Sequence, residues 1–292
     1  MKEDRSPAAK EASKVIRWNL HTHTTESDGD LSIGSLVRQA ASEDLLGIAV
    51  TDHFPYPYRG PETVDWKVSR EQLDQRLKRL EVLRANEDHL VILRGVEVEF
   101  TEPLSLLEGA LRGLEVDFVL GGVHVLDRWM VDWSEAEFLR AEEFFGSLKT
   151  AIARYFEAAA ELAESGLVDC LAHIDLVKKY NHRQRHFKQN SSWYVDAAVA
   201  CLERVAEAGV AIELNTSGLR KPVEEMYPVG WLLRRAADLG IEVTVGTDLH
   251  RADEGVTAGL DQAELALREA GYESYLIFKD RKRREVELGG RR

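Results

Sequence analysis

Cysteine, long apolar runs and positive charge are all scarce in this 292-residue sequence. Its two cysteines, Cys170 and Cys201, fall in an apolar strand-like run and in an amphipathic helix, which indicates buried free thiols rather than a disulfide or a metal-binding pair. No apolar segment approaches the roughly 20 residues that a membrane span needs, and residues 1–14 lack the basic-then-apolar order of a secretory signal. We therefore expect a cytoplasmic protein that has no membrane partner.

Acidic side chains outnumber basic ones by 51 to 38, which gives a formal net charge of −13. A diffuse acidic surface repels a phosphate backbone, because nucleic-acid binding depends on Lys and Arg releasing its counterions. We therefore expect no long nucleic acid as a partner. A small phosphate ester remains compatible, since metal cations and a few basic side chains can outweigh a distant surface charge. The oligomeric state stays open.

The chain is long enough for one domain with a large core. Hydrophobic residues make up 44% and charged residues 30%, a balance that buries a core without disulfides or a structural metal. Residues 1–14 are polar and carry no apolar period, so we predict a flexible tail there and a single barrel domain over residues 15–292. A bound metal would then serve chemistry rather than hold a small fold together.

One sequence pattern recurs along the chain. An amphipathic helix ends, a short run rich in Val, Ile and Leu follows, and a His or acidic residue stands near the end of that run. Five segments carry it: residues 32–46 before IAVT, 69–86 before LVILRGVE, 147–165 before LVDCLA, 192–208 before VAIELN, and 228–239 before IEVTVGTD. Together with VIRWNL before His21 and VDFVL before His124, they predict seven apolar strands that alternate with helices.

This alternation predicts an α/β protein with a parallel sheet, and seven strands favour a closed barrel over an open sheet. In such a barrel the carboxyl ends of all strands meet at one face, where active sites are found. A further run, YLIF from Tyr275, is compatible with an eighth strand or with an added edge.

Histidines are concentrated at the predicted strand ends. Of the nine in the sequence, six lie at or just past the carboxyl end of a predicted strand: His21, His23, His53, His124, His173 and His250. A single histidine there is well explained by a hydrogen bond in the core or on the surface, but six at one face are not. The first two also share one side of a strand, because side chains alternate with period two.

Acidic residues stand at matching positions. Asp28, Glu97 and Asp248 supply the oxygen ligands that divalent ions take beside imidazole, and a carboxylate can bridge two ions. A mixed set of this size exceeds the four ligands of one tetrahedral ion. We therefore predict two or three divalent metal ions, of Zn, Mn or Fe, at this face of the barrel.

Six motifs, in this order, resemble those of the polymerase and histidinol phosphatase (PHP) family: HTHTTESDG, TDHF, GVEVEF, GGVHVLD, LAHIDL and GTDLH. The resemblance covers about residues 18–251 and implies a distorted (β/α)7-type barrel with its metal site at the C-terminal face. Among members of the family, the sequence is most similar to histidinol-phosphate phosphatases, through TDHFP, HIDLVKKY and ELNTSGLRK. This implies a metal-dependent phosphomonoesterase of histidine biosynthesis, which hydrolyses L-histidinol phosphate with metal-activated hydroxide.

The resemblance also implies a role for each candidate ligand. The implied groups are a first ion held by His21, His23, Glu97 and Asp248, a second bridged by Glu97 and held by His124 and His173, and a third held by Asp28, His53 and His250. Of these residues, Glu97, Asp248 and His250 are predicted to be catalytic.

Basic residues near the same face are candidates for substrate contact. Lys178, after His173, and Arg220, after the sixth strand, are predicted to bind the phosphate group, although a solvated surface position explains them equally well.

Several neighbours have two interpretations each. Asp52 and Asp175 could orient an imidazole or cap a helix. Asn215 could bond a ligand or substrate, or hold a turn. Three aromatic residues could line the pocket for the leaving group or pack loops, namely Trp129, Trp133 and Tyr180.

Other functions are compatible with parts of this pattern. The same site could act on nucleotides or short oligonucleotide ends, as other members of the PHP family do. A carbon–nitrogen hydrolase of the amidohydrolase type also begins with His-x-His, but Glu97 on the third strand and the Asp248 and His250 pair fit it poorly. A non-enzymatic protein that binds metal only for stability is disfavoured, because structural sites are normally closed and four-coordinate.

Overall fold

The computed structural model describes residues 16–54 and 68–288. The flexible tail predicted for residues 1–14 lies outside the described residues and stays a prediction, as does the single domain over residues 15–292. Within the described residues the strands are, in chain order, β1 (Trp18–Asn19), β2 (Gly47–Val50), β3 (Val91–Glu99), β4 (Phe118–Gly122), β5 (Val125–Leu126), β6 (Trp129–Met130), β7 (Cys170–Leu171), β8 (Ala211–Asn215), β9 (Val243–Gly246), β10 (Ser274–Lys279) and β11 (Lys282–Glu287).

Seven of these strands form one parallel sheet, in the order β1-β2-β3-β4-β7-β8-β9. Its two outermost strands also meet, because the Leu20 N–H donates to the Val245 carbonyl at 2.9 Å and Thr22 forms a parallel bridge with Leu249. The sheet therefore curls round into the predicted barrel. Its strands are almost entirely buried, which explains why their sequences are continuously apolar.

The helices surround this sheet, and their bounds are α1 (Ile33–Ser42), α2 (Arg70–Ala85), α3 (Ser105–Leu111), α4 (Glu135–Leu139), α5 (Ala141–Phe145), α6 (Leu148–Glu164), α7 (Ser192–Ala208), α8 (Gly230–Asp238) and α9 (Leu260–Ala270). The five predicted helices are α1, α2, α6, α7 and α8, and each lies inside its predicted range. Short 3₁₀ helices follow two of the barrel strands, at Leu176–Lys178, His182–Gln184 and Ser217–Arg220.

Local sequence determines where the longer helices begin and end. Ser69 accepts a hydrogen bond from the Gln72 N–H, and the Gln72 side chain accepts one from the Ser69 N–H, which makes a capping box at the start of α2. Gly209 ends α7 in the left-handed conformation, with φ of 65°. These caps fix the turns through which each helix returns to the sheet.

The last two strands form a separate hairpin. Within the described part of the chain, β10 pairs only with β11, in antiparallel register. Phe278 stacks on Phe118 at the start of β4, with ring centroids 5.3 Å apart, and Arg281 forms a 2.9 Å ion pair with Asp169 just before β7. The YLIF run is therefore neither an eighth barrel strand nor an added edge, since it covers the amino ends of the barrel strands.

The two cysteines have the buried environment that the sequence predicts. Cys170 and Cys201 are both buried free thiols, and burial raises the pKa of the Cys201 thiol to about 12. Among residues 16–54 and 68–288, none of the helices combines the length and the apolar character of a membrane span.

Candidate metal centre

All nine predicted ligands lie in one cluster at the carboxyl ends of the barrel strands. Glu97 belongs to β3, and the other eight follow a strand: His21, His23 and Asp28 after β1, His53 after β2, His124 after β4, His173 after β7, and Asp248 and His250 after β9. Seven of the nine are buried, whereas Asp28 and His250 are accessible to solvent. The cluster is therefore deep but open on one side.

Glu97 stands at the centre of the cluster. Its Oε2 atom lies 3.3 Å from the Nε2 atoms of both His21 and His23. Its Oε1 atom lies 3.0 Å from His173 Nε2 and 3.6 Å from His124 Nε2. The two oxygens therefore face different imidazoles, as expected of a carboxylate that bridges two ions.

Asp248 completes the group around Glu97 Oε2. Its Oδ1 atom lies 3.4 Å from His21 Nε2 and 3.5 Å from His23 Nε2, and those two nitrogens are 3.0 Å apart. Metal–ligand bonds of about 2.0–2.1 Å give a tetrahedron with edges of about 3.3 Å. The spacing of these ligand atoms therefore fits a shared divalent ion.

A second group lies on the open side of the cluster. Asp28 Oδ2 is 3.4 Å from His250 Nε2 and 3.7 Å from His53 Nε2, and Asp28 Oδ1 is 3.5 Å from His23 Nδ1. One ligand atom from each of these four residues lies within 4.8 Å of the others. We call this group of Asp28, His53, His250 and His23 the outer group. It includes the three residues expected for a third ion, and it adds His23.

His124 and His173 share Glu97 Oε1, and their ring centroids are 5.0 Å apart. Each also belongs to a compact group with other neighbours, since His53, Glu97 and His124 lie close together, as do His21, His173 and Asp248. The ligands thus form one continuous cluster rather than three separate sites.

Two buried glutamates that the sequence analysis did not single out orient the imidazoles from behind. Glu213 Oε1 is 2.8 Å from His21 Nδ1, and Glu99 Oε2 is 2.6 Å from His124 Nδ1. A carboxylate on Nδ1 fixes the tautomer and the ring plane, so that Nε2 faces the cluster. Both acids were detectable in principle, because Glu99 shares a strand face with Glu97 and Glu213 interrupts an apolar strand.

Carboxylates and imidazoles at this density shift one another's pKa values. Burial disfavours the charged form of His23, but hydrogen bonds to Asp248 and Glu97 outweigh it and raise the pKa of His23 to about 10. Against the same burial, Glu99 and Glu97 raise the pKa of His124 to about 10. Burial prevails at His53, where it lowers the pKa to about 4. In the metal-free protein, protons on some imidazoles therefore balance the carboxylates.

The metal-free protein is expected to lose stability as the pH rises from about 6.5 to about 10. His23 and His124 keep their protons up to a pKa of about 10 when folded, against 6.5 when unfolded. The folded state therefore binds more protons across this window, and the free energy of unfolding falls with pH. Thermal melting of chelator-treated protein across the window tests this. Metal-loaded protein is the control and should fall less, because ions replace those protons; a chelated protein that grows more stable would contradict the prediction.

The backbone at the cluster is specialised as well. A Cβ atom on Gly246, at the end of β9, would lie 2.0 Å from Glu213 Oε1 and 2.4 Å from His21 Cβ, so only glycine leaves room there. His173 and Asp248 have φ values of 25° and 50°, in the region that favours glycine. Strain of this kind persists where the surrounding structure fixes the direction of a functional side chain.

The cluster forms the floor of a cavity of about 260 Å³, whose walls include Trp133, Lys179, Lys221 and Arg251. Lys179 Nζ forms a 2.9 Å ion pair with Asp132 Oδ2. Trp133 is 54% exposed beside the opening. The cavity thus combines cations and an aromatic ring above a metal-ligand cluster, at a scale that suits a small molecule.

Lys178, a predicted phosphate ligand, lies beneath this wall. Its side chain is fully buried, and its ammonium group donates to the Met226 carbonyl at 2.7 Å and pairs with Asp175 at 3.1 Å and Glu225 at 3.3 Å. These three partners hold the ammonium group away from the cavity, and Lys179 takes the position on the cavity wall.

Arg220, the other predicted phosphate ligand, is also directed into the fold. Its Nη2 donates to the Thr247 carbonyl at 2.6 Å, next to Asp248. Arg220 therefore braces the strand end that carries Asp248, and the adjacent Lys221 reaches the cavity wall.

The structure gives contacts for the remaining residues that had two interpretations each. Asn215 holds the turn, since its Oδ1 accepts the Ser217 N–H at 2.8 Å, and its Nδ2 donates to Glu213 Oε2 at 2.9 Å. Asp175 accepts the Val229 N–H at 2.9 Å. Of the three aromatic residues, Trp133 lines the cavity, whereas Trp129 is buried with its Nε1–H on the Phe138 carbonyl and Tyr180 donates to the Asp132 carbonyl.

A parallel barrel with a histidine and carboxylate cluster at the carboxyl ends of its strands has the architecture of a metal-dependent barrel hydrolase. The family model of the PHP domain matches residues 19–217 of the sequence. The chain therefore belongs to the PHP domain family, as its six motifs indicate.

Individual relatives agree with this assignment. A "Probable histidinol-phosphatase" of Deinococcus radiodurans is 33% identical over 221 residues, which cover 74% of this chain and 78% of that protein. The histidinol-phosphatase of Bacillus subtilis is 24% identical over 254 residues, which cover 81% of this chain and 93% of that protein. The crystal structure of histidinol phosphate phosphatase from Lactococcus lactis subsp. lactis, complexed with zinc, L-histidinol and phosphate, covers 92% of this chain and 99% of its own, with a TM-score of 0.74 and 21% identity. This likeness confirms the predicted fold.

Proposed function

We propose that this protein is a metal-dependent phosphomonoesterase that hydrolyses L-histidinol phosphate to L-histidinol and phosphate. The cluster of six histidines and three carboxylates around Glu97 carries the proposal. The relative that is 33% identical, described as a probable histidinol-phosphatase, supports the choice of substrate. The reaction then belongs to histidine biosynthesis, and we place it in the cytoplasm.

The ligand set suits two or three divalent ions of Zn, Mn or Fe, because it mixes imidazole nitrogens with carboxylate oxygens. His21, His23, Glu97 and Asp248 would hold the first ion. Glu97 would bridge it to a second, on the side of His124 and His173. Asp28, His53 and His250 of the outer group would hold a third ion at the solvent side, where substrate enters.

Phosphate monoesters are hydrolysed very slowly without a catalyst, so that enzymes accelerate the reaction by up to about 10²¹-fold. Clustered divalent ions supply an activated water nucleophile and neutralise phosphoryl oxygens. The chain's own groups prepare this chemistry: Glu213 and Glu99 hold His21 and His124 with Nε2 facing inward. The wall cations Lys179, Lys221 and Arg251 would bind the phosphate oxygens that remain.

Phosphate release by purified, metal-analysed protein tests the proposal. L-histidinol phosphate is compared with nucleoside monophosphates, dinucleotides and sugar phosphates, and an Asp248→Ala, His250→Ala double variant is the control. A preference for L-histidinol phosphate that the control lacks is expected. Turnover of nucleotides alone would replace the substrate, and no phosphate release from any ester would overturn the proposed activity.

Trp133→Ala is expected to raise KM for L-histidinol phosphate by about 3- to 10-fold, because stacking on an aromatic ring contributes about 0.5–1.5 kcal/mol. The reason is the position of Trp133, which lines the cavity and is half exposed. Steady-state kinetics of Trp133→Ala and of the control Trp133→Phe check this. The KM for a sugar phosphate, which has no aromatic ring to stack, should change less; an unchanged KM for L-histidinol phosphate would count against the role of Trp133.

A further inference from the structure

A buried ion pair lies directly behind the outer group. Arg76, on α2, and Asp52, next to His53, both have side chains with 0% exposure, and Arg76 Nη1 lies 3.0 Å from Asp52 Oδ2. The contact is an ion pair rather than a directed hydrogen bond, since Nη1 makes no hydrogen bond by geometry. Breaking a buried pair on one side is costly, because it leaves an uncompensated charge in the core.

The other contacts of Asp52 are with the loop that follows His23. Its Oδ1 accepts the Thr24 N–H at 2.6 Å and the Ser27 hydroxyl at 2.8 Å. Its Oδ2 accepts the Thr24 hydroxyl at 2.8 Å. Asp52 therefore does not orient an imidazole directly or cap a helix; it gathers residues 24–27 into a tight turn.

Ser27 connects this turn to the outer group. Its hydroxyl oxygen lies 3.1 Å from Asp28 Oδ1 and 3.5 Å from His23 Nδ1. The turn is closed by the Gly29 N–H, which donates to the Thr24 carbonyl at 2.9 Å. The contacts thus run from Arg76 through Asp52 and Ser27 to Asp28, whose side chain is the most exposed of the predicted ligands.

Arg76 is the sole cation in contact with Asp52 among the ion pairs of the described residues. Without that cation, the buried Asp52 carboxylate would have no countercharge, which is costly and favours movement of the carboxylate toward water. Such a movement would break the hydrogen bonds that Asp52 accepts from Thr24 and Ser27. The shape of the loop therefore depends on the charge of a residue that contacts none of the metal ligands.

We propose that Arg76 is a positioning residue for the outer metal site, which acts through Asp52 and Ser27 to hold Asp28 against His53 and His250. The inference rests on the proposed metal centre. Because partners behind a ligand typically change metal affinity by about 10–100-fold, Arg76→Met should weaken binding of the outer ion by that factor. The inner ions, which are the first and second ions of the proposed metal centre, should stay bound.

The test counts manganese bound per chain after equilibrium dialysis, beside thermal melting as a check of the fold. Arg76→Met should resemble Asp28→Asn and lose one ion that the wild-type protein holds, and Arg76→Lys should recover part of the affinity. The matched control is Arg79→Met, on the same helix, because Arg79 pairs with Glu26 of the same loop at 2.5 Å but is 46% exposed. It should keep every ion.

A folded Arg76→Met that binds manganese like the wild-type protein would overturn the inference, and so would a wild-type protein that holds no ion lost in Asp28→Asn. If Arg76→Met does not fold, Ser27→Ala decides, because it removes the hydroxyl group that lies between Asp52 and Asp28 and no buried charge. Full manganese affinity in Ser27→Ala would then overturn the inference, and a lost outer ion would support it. Manganese counts need no turnover, so a failure of the proposed phosphatase activity is distinguishable.

Discussion

Glu97→Gln is expected to lower kcat/KM for L-histidinol phosphate by about 10³-fold, the scale on which loss of one central electrostatic group acts in enzymes. The two oxygens of Glu97 face separate imidazoles, on the His21 and His173 sides. Glutamine keeps the size of the side chain but replaces one oxygen by an amide that donates hydrogen bonds and cannot bind a cation. At least one ion should therefore be lost, which metal analysis of the purified variant measures beside its kinetics.

A matched control for Glu97→Gln is Glu102→Gln, just beyond the same strand, where the glutamate side chain is 56% exposed in an ion pair with Arg154. An exposed pair of this kind contributes little, so metal content and activity should stay at wild-type values. Wild-type metal content in Glu97→Gln would contradict the bridging role.

Gly246→Ala is expected to destabilise the protein by about 1–3 kcal/mol, the usual cost of overpacking, and to release the inner ions. The added methyl group would collide with Glu213 Oε1 and with His21 Cβ, at 2.0 and 2.4 Å. The Cβ atom of His21 is held by the backbone, so a shift of this atom would also move the imidazole away from Glu97. Denaturant unfolding of the metal-free protein and metal analysis of the loaded protein separate the two effects.

Gly230→Ala provides the comparison, because a Cβ atom at this first residue of α8 meets nothing within 4 Å. Alanine is favoured over glycine in helices by roughly 0.5–1 kcal/mol, so this variant should be as stable as the wild-type protein or slightly more so. A Gly246→Ala protein with normal unfolding and full metal content would show that the barrel end can relax around the methyl group.

The sequence was sufficient to predict that the candidate ligands lie together, because their positions follow from periodicity. All but Asp28 lie near the carboxyl end of an apolar run, and parallel strands bring such ends together regardless of distance along the chain. His21 and Asp248 meet at 3.4 Å for this reason, although 227 positions separate them. The nature of the fold and the position of its site thus depend on the same pattern.

Side-chain direction beyond the strand ends does not follow from periodicity. Lys178 and Lys179 stand at the end of a 3₁₀ helix, where successive side chains turn by about 120°, and only the second faces the cavity. Two neighbouring lysines in a loop carry no signal that distinguishes them. Glu99 and Glu213 were overlooked for a different reason, since a buried acid in a strand reveals its partner only when the opposite imidazole is in place.

The position of the YLIF run is a further feature that the sequence pattern does not determine. Its apolar residues satisfy the requirements of a barrel strand, a sheet edge or a covering hairpin equally well, because all three bury side chains. The outcome depends on Asp280 and Arg281, which turn the chain at positive φ of 51° and 57° and tie it to the start of β7. Tertiary contacts of this kind are not encoded in local pattern.

The contact between β1 and β9 closes the barrel, and it also sets the order in which the molecule can be assembled. A ribosome makes His21 and His23 well before Asp248, because 227 and 225 positions separate them from it along the chain. Until Asp248 donates its N–H to the His21 carbonyl, a bond of 2.9 Å in the finished barrel, the inner ligand group is incomplete. In the proposed metal centre, tight binding of the first ion would thus be a late event, and that ion would then link the two ends of the barrel.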